Sequence, residues 1–248
     1  MLSIVESPSM FRRKPSTPAV SWPGRCFRWL RGLVLGFVLL TVASVALLRW
    51  LPPPITSFML IAQAEAIAAR RTDFRLNYHW VDWDGISTSA KDAVIAAEDQ
   101  GFFEHGGFDF QAIEQAWRHN QTGKRLRGGS TLSQQTAKNL FLYPGRSYLR
   151  KGLEAYFTVL IEACWPKERI LEVYLNIAQF GDGIYGVAEA ARIYFGKTAA
   201  HLDEKEAALL AAVLPNPIVL KAGKPSAYVG RRQQWIVRQM RQLGDLGV

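Results

Sequence analysis

The 248-residue chain is 49% hydrophobic and 21% charged, enough to bury one good core, so a single catalytic-sized domain is the first expectation. Its net charge is +9, but residues 1–51 carry seven basic residues and one acidic, whereas residues 52–248 carry 23 and 20. Because +6 of the +9 precedes the part that can fold, the charge fits a membrane-proximal tail and speaks against a nucleic-acid-binding face.

In chain order, residues 1–28 are polar, proline-bearing and basic and read as a cytoplasmic tail without fixed structure. Residues 32–48 carry no charge and lie between Arg31 and Arg49; with Trp29, Leu30, Trp50 and Leu51 the run reaches the roughly 20 residues that span a hydrocarbon core. A transmembrane anchor is therefore expected over 29–51. Six basic residues before it (Arg12, Arg13, Lys14, Arg25, Arg28, Arg31) predict a cytoplasmic N-terminus and an exported C-terminal domain. A cleaved signal peptide competes, since Ala43 to Ala46 offers small residues, but the apolar run and its leader are long for one. Pro52, Pro53 and Pro54 stop any helix and stiffen a membrane-proximal segment over 52–75. Within it, 57–71 reads as a helix with Phe58, Ile61, Ala62 and Ile67 turned to the bilayer or to the domain. Residues 74–83 alternate weakly through Leu76, Tyr78 and Trp80, which predicts one strand near the start of a periplasmic domain over 76–248.

From there the pattern is helical. Residues 88–98 align Ala90, Val94 and Ala97, and Asp109 can cap a helix bearing Phe110, Ile113 and Trp117. A polar, glycine-rich loop covers 119–129, and Ser130 is expected to cap a helix running to about Leu140. Ser147 opens the most amphipathic segment, with Leu149, Leu153, Tyr156, Phe157, Leu160, Ile161 and Cys164 inward. Pro166 suits the first turn of a helix ending near Asn176; Gly181 to Gly183 turn the chain; a helix over 185–195 stops at Gly196. Asp203 with Glu206 makes a capping box for a helix ending at Pro215, and 226–243 forms a last amphipathic helix. The fold class is mainly α.

The two cysteines, Cys26 and Cys164, fall on opposite sides of the membrane in this reading, so no intramolecular disulfide is expected. The four histidines (His79, His105, His119, His201) lack metal-ligand spacing, and no organic cofactor motif is present. Gly196-Lys197-Thr198 resembles the end of a phosphate-binding loop, but Ala191 stands where its first glycine belongs. No Ser-x-x-Lys occurs, so penicillin-type acyl transfer has no signature.

The chemistry concentrates between Glu98 and Glu154. From Gln115 through Leu153 there is no Asp or Glu, and eight cations fill the window: Arg118, Lys124, Arg125, Arg127, Lys138, Arg146, Arg150 and Lys151. Paired carboxylates can do acid–base work, and a cationic field between them suits a substrate with several negative charges. Each piece also has a plain reading. Glu98-Asp99 could be two solvated acids at a helix end, although negative charge there opposes the dipole. His105 could be an ordinary loop or core histidine. Glu154 shares a face with Arg150 and Lys151, an ion pair worth roughly a few tenths of a kcal/mol, yet it borders Phe157 and Ile161 and so is expected at the lip of a cleft. In Gly128 to Gln135 the double glycine permits close backbone approach, Ser130 offers an anion-binding helix start, and Gln134 and Gln135 can reach sugar hydroxyls; the alternative is simply a capped helix.

Together these pieces resemble the peptidoglycan glycosyltransferases that polymerise lipid II, most closely the monofunctional, stand-alone branch of Gram-negative bacteria. Five blocks over roughly 76–243 carry the resemblance: Glu98-Asp99 through Phe102, His105 and Gly107; Gly128-Gly129-Ser130-Thr131 through Gln134-Gln135; Arg150-Lys151 with Glu154; Arg169 to Glu172 with Tyr174-Leu175-Asn176; and Gly181-Asp182-Gly183 through Tyr185-Gly186-Val187. The resemblance implies a lysozyme-like fold with a small membrane-embedded lobe around 119–127. It implies Glu98 as the base that deprotonates the acceptor sugar's 4-hydroxyl. That oxygen attacks C1 of the growing strand, with inversion and release of polyprenyl diphosphate. It implies Glu154 as a second catalytic carboxylate, orienting cations or helping hold a divalent cation such as Mg2+ or Mn2+ on the diphosphate. Asp99, Phe102, His105, Gly129, Ser130, Thr131, Gln134, Gln135, Lys138, Asn139, Arg146, Arg150 and Lys151 are the implied substrate-binding residues. The chain leaves no room for a transpeptidase domain after residue 243, so transpeptidases or division proteins are expected as partners beside lipid II, the strand and the inner membrane. Two rival functions stay open at this point: a lytic enzyme of similar fold that cleaves strands, and a non-catalytic membrane-anchored scaffold.

Overall fold

An uncharged apolar run can satisfy its backbone only by coiling, and the chain does so from the start of what is described. The structure, a computed structural model, describes residues 22–121, 129–145, 147–244 and 246–247. The tail before Trp22, the loop positions 122–128 and Arg146 lie outside the described residues, and with them the expectations placed on Lys124, Arg125, Arg127, Gly128 and Arg146. The N-terminal unit, ending at Ala43, holds most of helix α1 (Trp22–Leu48). Residues 22–28 are therefore helical rather than part of an unstructured tail. Pro23 sits in the first turn, where its missing N–H leaves no helical bond unmade. Phe27, Trp29, Leu33, Leu35 and Leu40 all face outward, and Cys26–Leu48 is long and apolar enough to cross a membrane.

The second unit, Ser44–Val248, begins with the last turn of α1. A helix end leaves carbonyls unpaired. Here Trp165 Nε1 donates to Val45 O at 2.7 Å, and the Arg169 guanidinium donates to Leu48 O at 2.9 Å and Leu51 O at 2.8 Å. Helix α2 (Ser57–Ala68) follows, capped by Thr56. It stops before residue 71 because Arg70 turns left-handed at φ 53°, and the Arg71 N–H reaches back to Ala66 O. Its core-facing residues are Met59 and Ala66, while Ile67 points outward. Of the residues expected to turn to the bilayer or to the domain, Ala62 packs against the core and Ile67 does not.

The expected strand over 74–83 contracts to β1 (Asn77–Tyr78), which pairs in parallel with β3 (Ile184–Tyr185); β2 (Gln179–Gly181) runs antiparallel to β3. The β2–β3 hairpin occupies the stretch read as a turn and a helix start. Strands this short offer too few alternations to register as a period.

Among the described residues eight further α-helices follow: α3 (Thr88–Glu98), α4 (Phe110–Gln121), α5 (Leu132–Phe141), α6 (Tyr148–Cys164), α7 (Lys167–Ile177), α8 (Val187–Phe195), α9 (Glu204–Val213) and α10 (Ala227–Leu243). Side-chain caps at Ser147 and at Asp203 with Glu206 stand where the sequence put them, Ser226 caps α10, and Gly196 ends α8 at φ 66°. The mainly α class holds, consistent with a lysozyme-like domain. Helix α3 packs on α9 and α10, and α5 packs on α6 and α7. Through Ile170, Leu171, Val173, Leu175 and Ile177, α7 is buried nearly along its length and forms the centre of the core. Two expectations need correction. Leu149 is exposed rather than inward, because the buried face of α6 runs through Glu154, Phe157, Thr158 and Ile161 and Leu149 lies off it. The cap of α5 is Thr131 rather than Ser130: its hydroxyl accepts from Gln134 N while the Gln134 side chain accepts from Thr131 N at 3.0 Å.

Candidate active site

A cleft of about 360 Å³ opens at the C-terminal end of α3. Glu98, Asp99, Gln100 and Gly101 form its floor; Asp109 just before α4, Gln111, Ala112 and Gln115 of α4, Gly129, Ser130 and Thr131, and Trp235 and Gln239 of α10 form its walls.

Two acids at a helix C-terminus are unfavourable, and the structure shows how the chain accommodates them. The Asp99 carboxylate turns away from α3 to the start of α5, where the positive end of the next helix receives it. Leu132 N donates to Asp99 Oδ2 at 2.9 Å. Its other oxygen meets His105 Nε2 at 2.8 Å, while His105 Nδ1 accepts from Gly107 N at 3.1 Å. That second bond assigns the proton to Nε2, so His105 donates to Asp99. Burial raises the Asp99 carboxyl above its usual value, and the His105 and Leu132 bonds oppose the rise. The Lys167 ammonium donates to His105 O at 2.6 Å and to Glu162 at 2.8 Å, so α7 braces this loop. Phe102 is fully buried beside it. Phe102 and His105 thus sit beneath the floor that Asp99 helps to form, and fix its shape.

Glu98 is left facing the cleft. Gln135 Nε2 donates to its Oε2 at 3.0 Å, and Tyr174 OH donates to Gln135 Oε1 at 3.2 Å, so a buried phenol orients the amide that orients the carboxylate. On the other side Arg232 Nη2 lies 3.3 Å from Glu98 Oε1. Burial raises the Glu98 carboxyl above the ordinary glutamate value; Gln135, Arg232 and Lys138 offset part of that rise. A carboxylate both desolvated and held is a stronger base than one in water.

Beyond Gln135, a smaller cavity of about 170 Å³ is bordered by Lys138, Asn139 and Tyr174. Burial lowers the Lys138 ammonium, and both Glu154 and Glu98 act to raise it, so one cation feels both carboxylates. Glu154 is not at a lip, as its sequence position suggested. It is 3% exposed, inside the contact of α6 with α5. Arg150 Nη1 bonds its Oε2 at 2.7 Å and Lys151 Nζ bonds its Oε1. Lys151 also reaches Ser130 Oγ at 3.4 Å, tying α6 to the glycine loop. Arg150 Nε is buried without a partner among the described residues.

The structure therefore gathers Glu98, Gln135, Lys138, Arg150, Lys151, Glu154 and Ser130 around one region. Gln134 is consumed by the cap of α5. Arg118 stays outside, on the exposed face of α4, paired with Glu114 at 2.6 Å. Gly129 serves packing: a Cβ there would stand 3.2 Å from Ile113 Cα, so the close approach is made by α4. Sequence reasoning missed Arg232, Trp235 and Gln239. Arg232 had a readable signal, a cation within the apolar stripe of Val229, Ile236 and Met240. Trp235 and Gln239 had none, since an exposed helix face records no destination. One of the resemblance blocks also acts in the scaffold. Glu172 accepts from Trp83 N at 2.8 Å, and the Asn176 amide brackets Val81 through its N–H and C=O, both at 2.8 Å.

A family model described as Transglycosylase matches residues 63–241. The chain is 53% identical over 220 residues to the biosynthetic peptidoglycan transglycosylase of Xanthomonas oryzae pv. oryzae, covering 89% of this chain and 90% of that protein. It is 52% identical over 208 residues to the protein of the same name from Mannheimia succiniciproducens, covering 84% and 85%. With the Shewanella oneidensis protein of that name it shares 53% identity over 222 residues, covering 90% and 94%.

Proposed function

The chain belongs to the transglycosylase family, and we infer that it is a peptidoglycan glycosyltransferase that polymerises lipid II into glycan strands. The observation that carries the mechanism is Glu98, a desolvated carboxylate held between Gln135 and Arg232 at the cleft floor, with Lys138 linking it electrostatically to Glu154. Glu98 takes the proton of the acceptor sugar's 4-hydroxyl as that oxygen bonds to C1 of the donor strand. The C1–O bond to the diphosphate breaks, its electron pair leaves with polyprenyl diphosphate, and the configuration inverts. Lys138 and the spare donors of Arg150 and Lys151 face the charge that grows on the leaving group, where they stabilise the transition state more than the ground state. Arg146 is assigned to the same set by its place in the sequence. Trp235, exposed on the cleft wall, offers an aromatic face to a sugar ring.

Among the described residues no group of three or more His, Cys, Asp or Glu could hold a metal ion, and both Glu154 oxygens are engaged by cations. The residues present do not form a metal cradle of their own. A divalent cation would rest mainly on the substrate's diphosphate, and no step above runs through one. The apolar N-terminal helix, the one among the described residues long enough to cross a membrane, supports a membrane anchor. We place the chain in the inner membrane with a cytoplasmic N-terminus, a periplasmic catalytic domain and transpeptidases or division proteins as partners.

The test is strand assembly by the full chain from purified lipid II, beside finished glycan as an alternative substrate, with Glu98→Gln and Glu154→Gln, with and without chelator. Strand growth lost in Glu98→Gln supports the assignment. Soluble fragments released from finished glycan would mark a lytic enzyme. Cell-wall complementation by Glu98→Gln would mark a scaffold.

A further inference from the structure

The C-terminal helix α10 lies outside the five blocks discussed above, yet it contributes an arginine to the cleft floor. Val229 and Ile236 of α10 are fully buried and Met240 nearly so. Arg232 stands three residues after the first and four before the second, on the same helical stripe. A cation there costs desolvation that leucine or methionine would not, and it is tolerated only where a counter-charge meets it. The counter-charge is Glu98 Oε1, 3.3 Å from Nη2, contributed from 134 residues earlier in the chain. The contact is single rather than bidentate, and the Arg232 Nε is buried without a partner among the described residues. A guanidinium built purely to lock two helices would engage the carboxylate through both nitrogens. This looser contact leaves Oε1 with a lone pair for an incoming hydroxyl proton.

Building on the assignment of Glu98 as base, we propose that Arg232 is a positioning residue of the glycosyl-transfer site, holding the Glu98 carboxylate ionised and aimed at the acceptor hydroxyl. The groups that face Glu98 frame this role. Gln135 and Lys138 come from α5, Tyr174 from α7, Asp99 from the end of its own helix, and Arg232 from α10. Asp99 and burial favour the protonated acid; Gln135, Lys138 and Arg232 favour the carboxylate. Lys138 is itself weakened by burial, and of the two cations Arg232 bears more strongly on Glu98.

The experiment measures kcat/KM for strand assembly against pH in the full chain, for wild type, Arg232→Met and Arg232→Lys. Removing the charge moves the acid limb to higher pH, so Arg232→Met loses roughly tenfold or more at the acid end, with a smaller loss on the plateau. Arg232→Lys restores most of the acid limb. A second readout needs no turnover: the difference in melting temperature between Glu98 and Glu98→Gln proteins reports Glu98 ionisation, and its pH dependence moves upward in the Arg232→Met background. An acid limb and melting difference that stay in place would overturn the proposal and make Arg232 a packing residue. Undiminished turnover in Glu98→Gln would instead sink the assignment of the base, whatever Arg232 does.

Discussion

Replacing Glu154 by glutamine separates a buried network from the ordinary surface pair its spacing suggests. Glu154 is 3% exposed, and the Arg150 side chain 11%. The substitution keeps the shape but removes the charge that compensates Arg150, whose Nε already lacks a partner among the described residues. Breaking a buried pair from one side costs about 3–5 kcal/mol, because the surviving ion stays desolvated. Lys151, half exposed, can rehydrate, so its share is under about 1 kcal/mol. The glutamine carbonyl still accepts one bond, which restores about 1 kcal/mol. The net loss is about 2–4 kcal/mol, or roughly 5–15 °C for a domain of this size. Thermal unfolding of the full chain in detergent, followed by two probes, measures it. Adding Arg150→Met to Glu154→Gln removes the stranded cation, so the double variant melts above the single one. A loss under about 0.5 kcal/mol, or an additive double variant, would refute the buried-network reasoning.

Glu98→Gln abolishes most turnover, by roughly 100-fold or more for a lost general base. Its effect on stability has the opposite sign. Burial raises the folded carboxyl above its unfolded value, so the stability Glu98 contributes is present below the unfolded value and lost as pH rises through the folded one. The variant is therefore expected to melt above wild type at neutral pH, and the gap to close in acid. For the same reason wild-type activity falls on an acid limb lying above the ordinary glutamate range, seen in a rate–pH profile. Trp235→Ala raises KM for lipid II severalfold with little change in melting, and Trp235→Phe recovers most of it; an unchanged KM would remove the aromatic from the sugar site. Gly186 holds φ 83°, and a Cβ there would stand 2.5 Å from Asn176 O, so Gly186→Ala costs at least about 1–3 kcal/mol by denaturant unfolding.

Much of this molecule is legible in the chain because its information is local. The apolar run bounded by Arg31 and Arg49, the caps at Ser147 and Asp203, and the stop at Gly196 each depend on neighbours within a turn or two of helix, and each appears where expected. The cation-rich window between Glu98 and Glu154 also marks the site. Its membership was another matter: Arg118 spends its charge on Glu114 one turn away, and Gln134 closes a cap.

What only the tertiary structure decides is who meets Glu98. Tyr174 reaches it through Gln135 across 39 residues and Arg232 across 134, while Asp99 finds the start of α5 across 33. Periodicity tells which face of a helix turns inward, but says nothing about which other face it meets there. The burial of Glu154 follows the same rule: its helical spacing from Arg150 fixes that the two can touch, and the packing of α6 on α5 fixes that they touch out of water. The chain itself settles that a carboxylate stands ready beside positive charge; folding settles how strongly that carboxylate holds a proton, because desolvation and distant partners exist only once the helices have met.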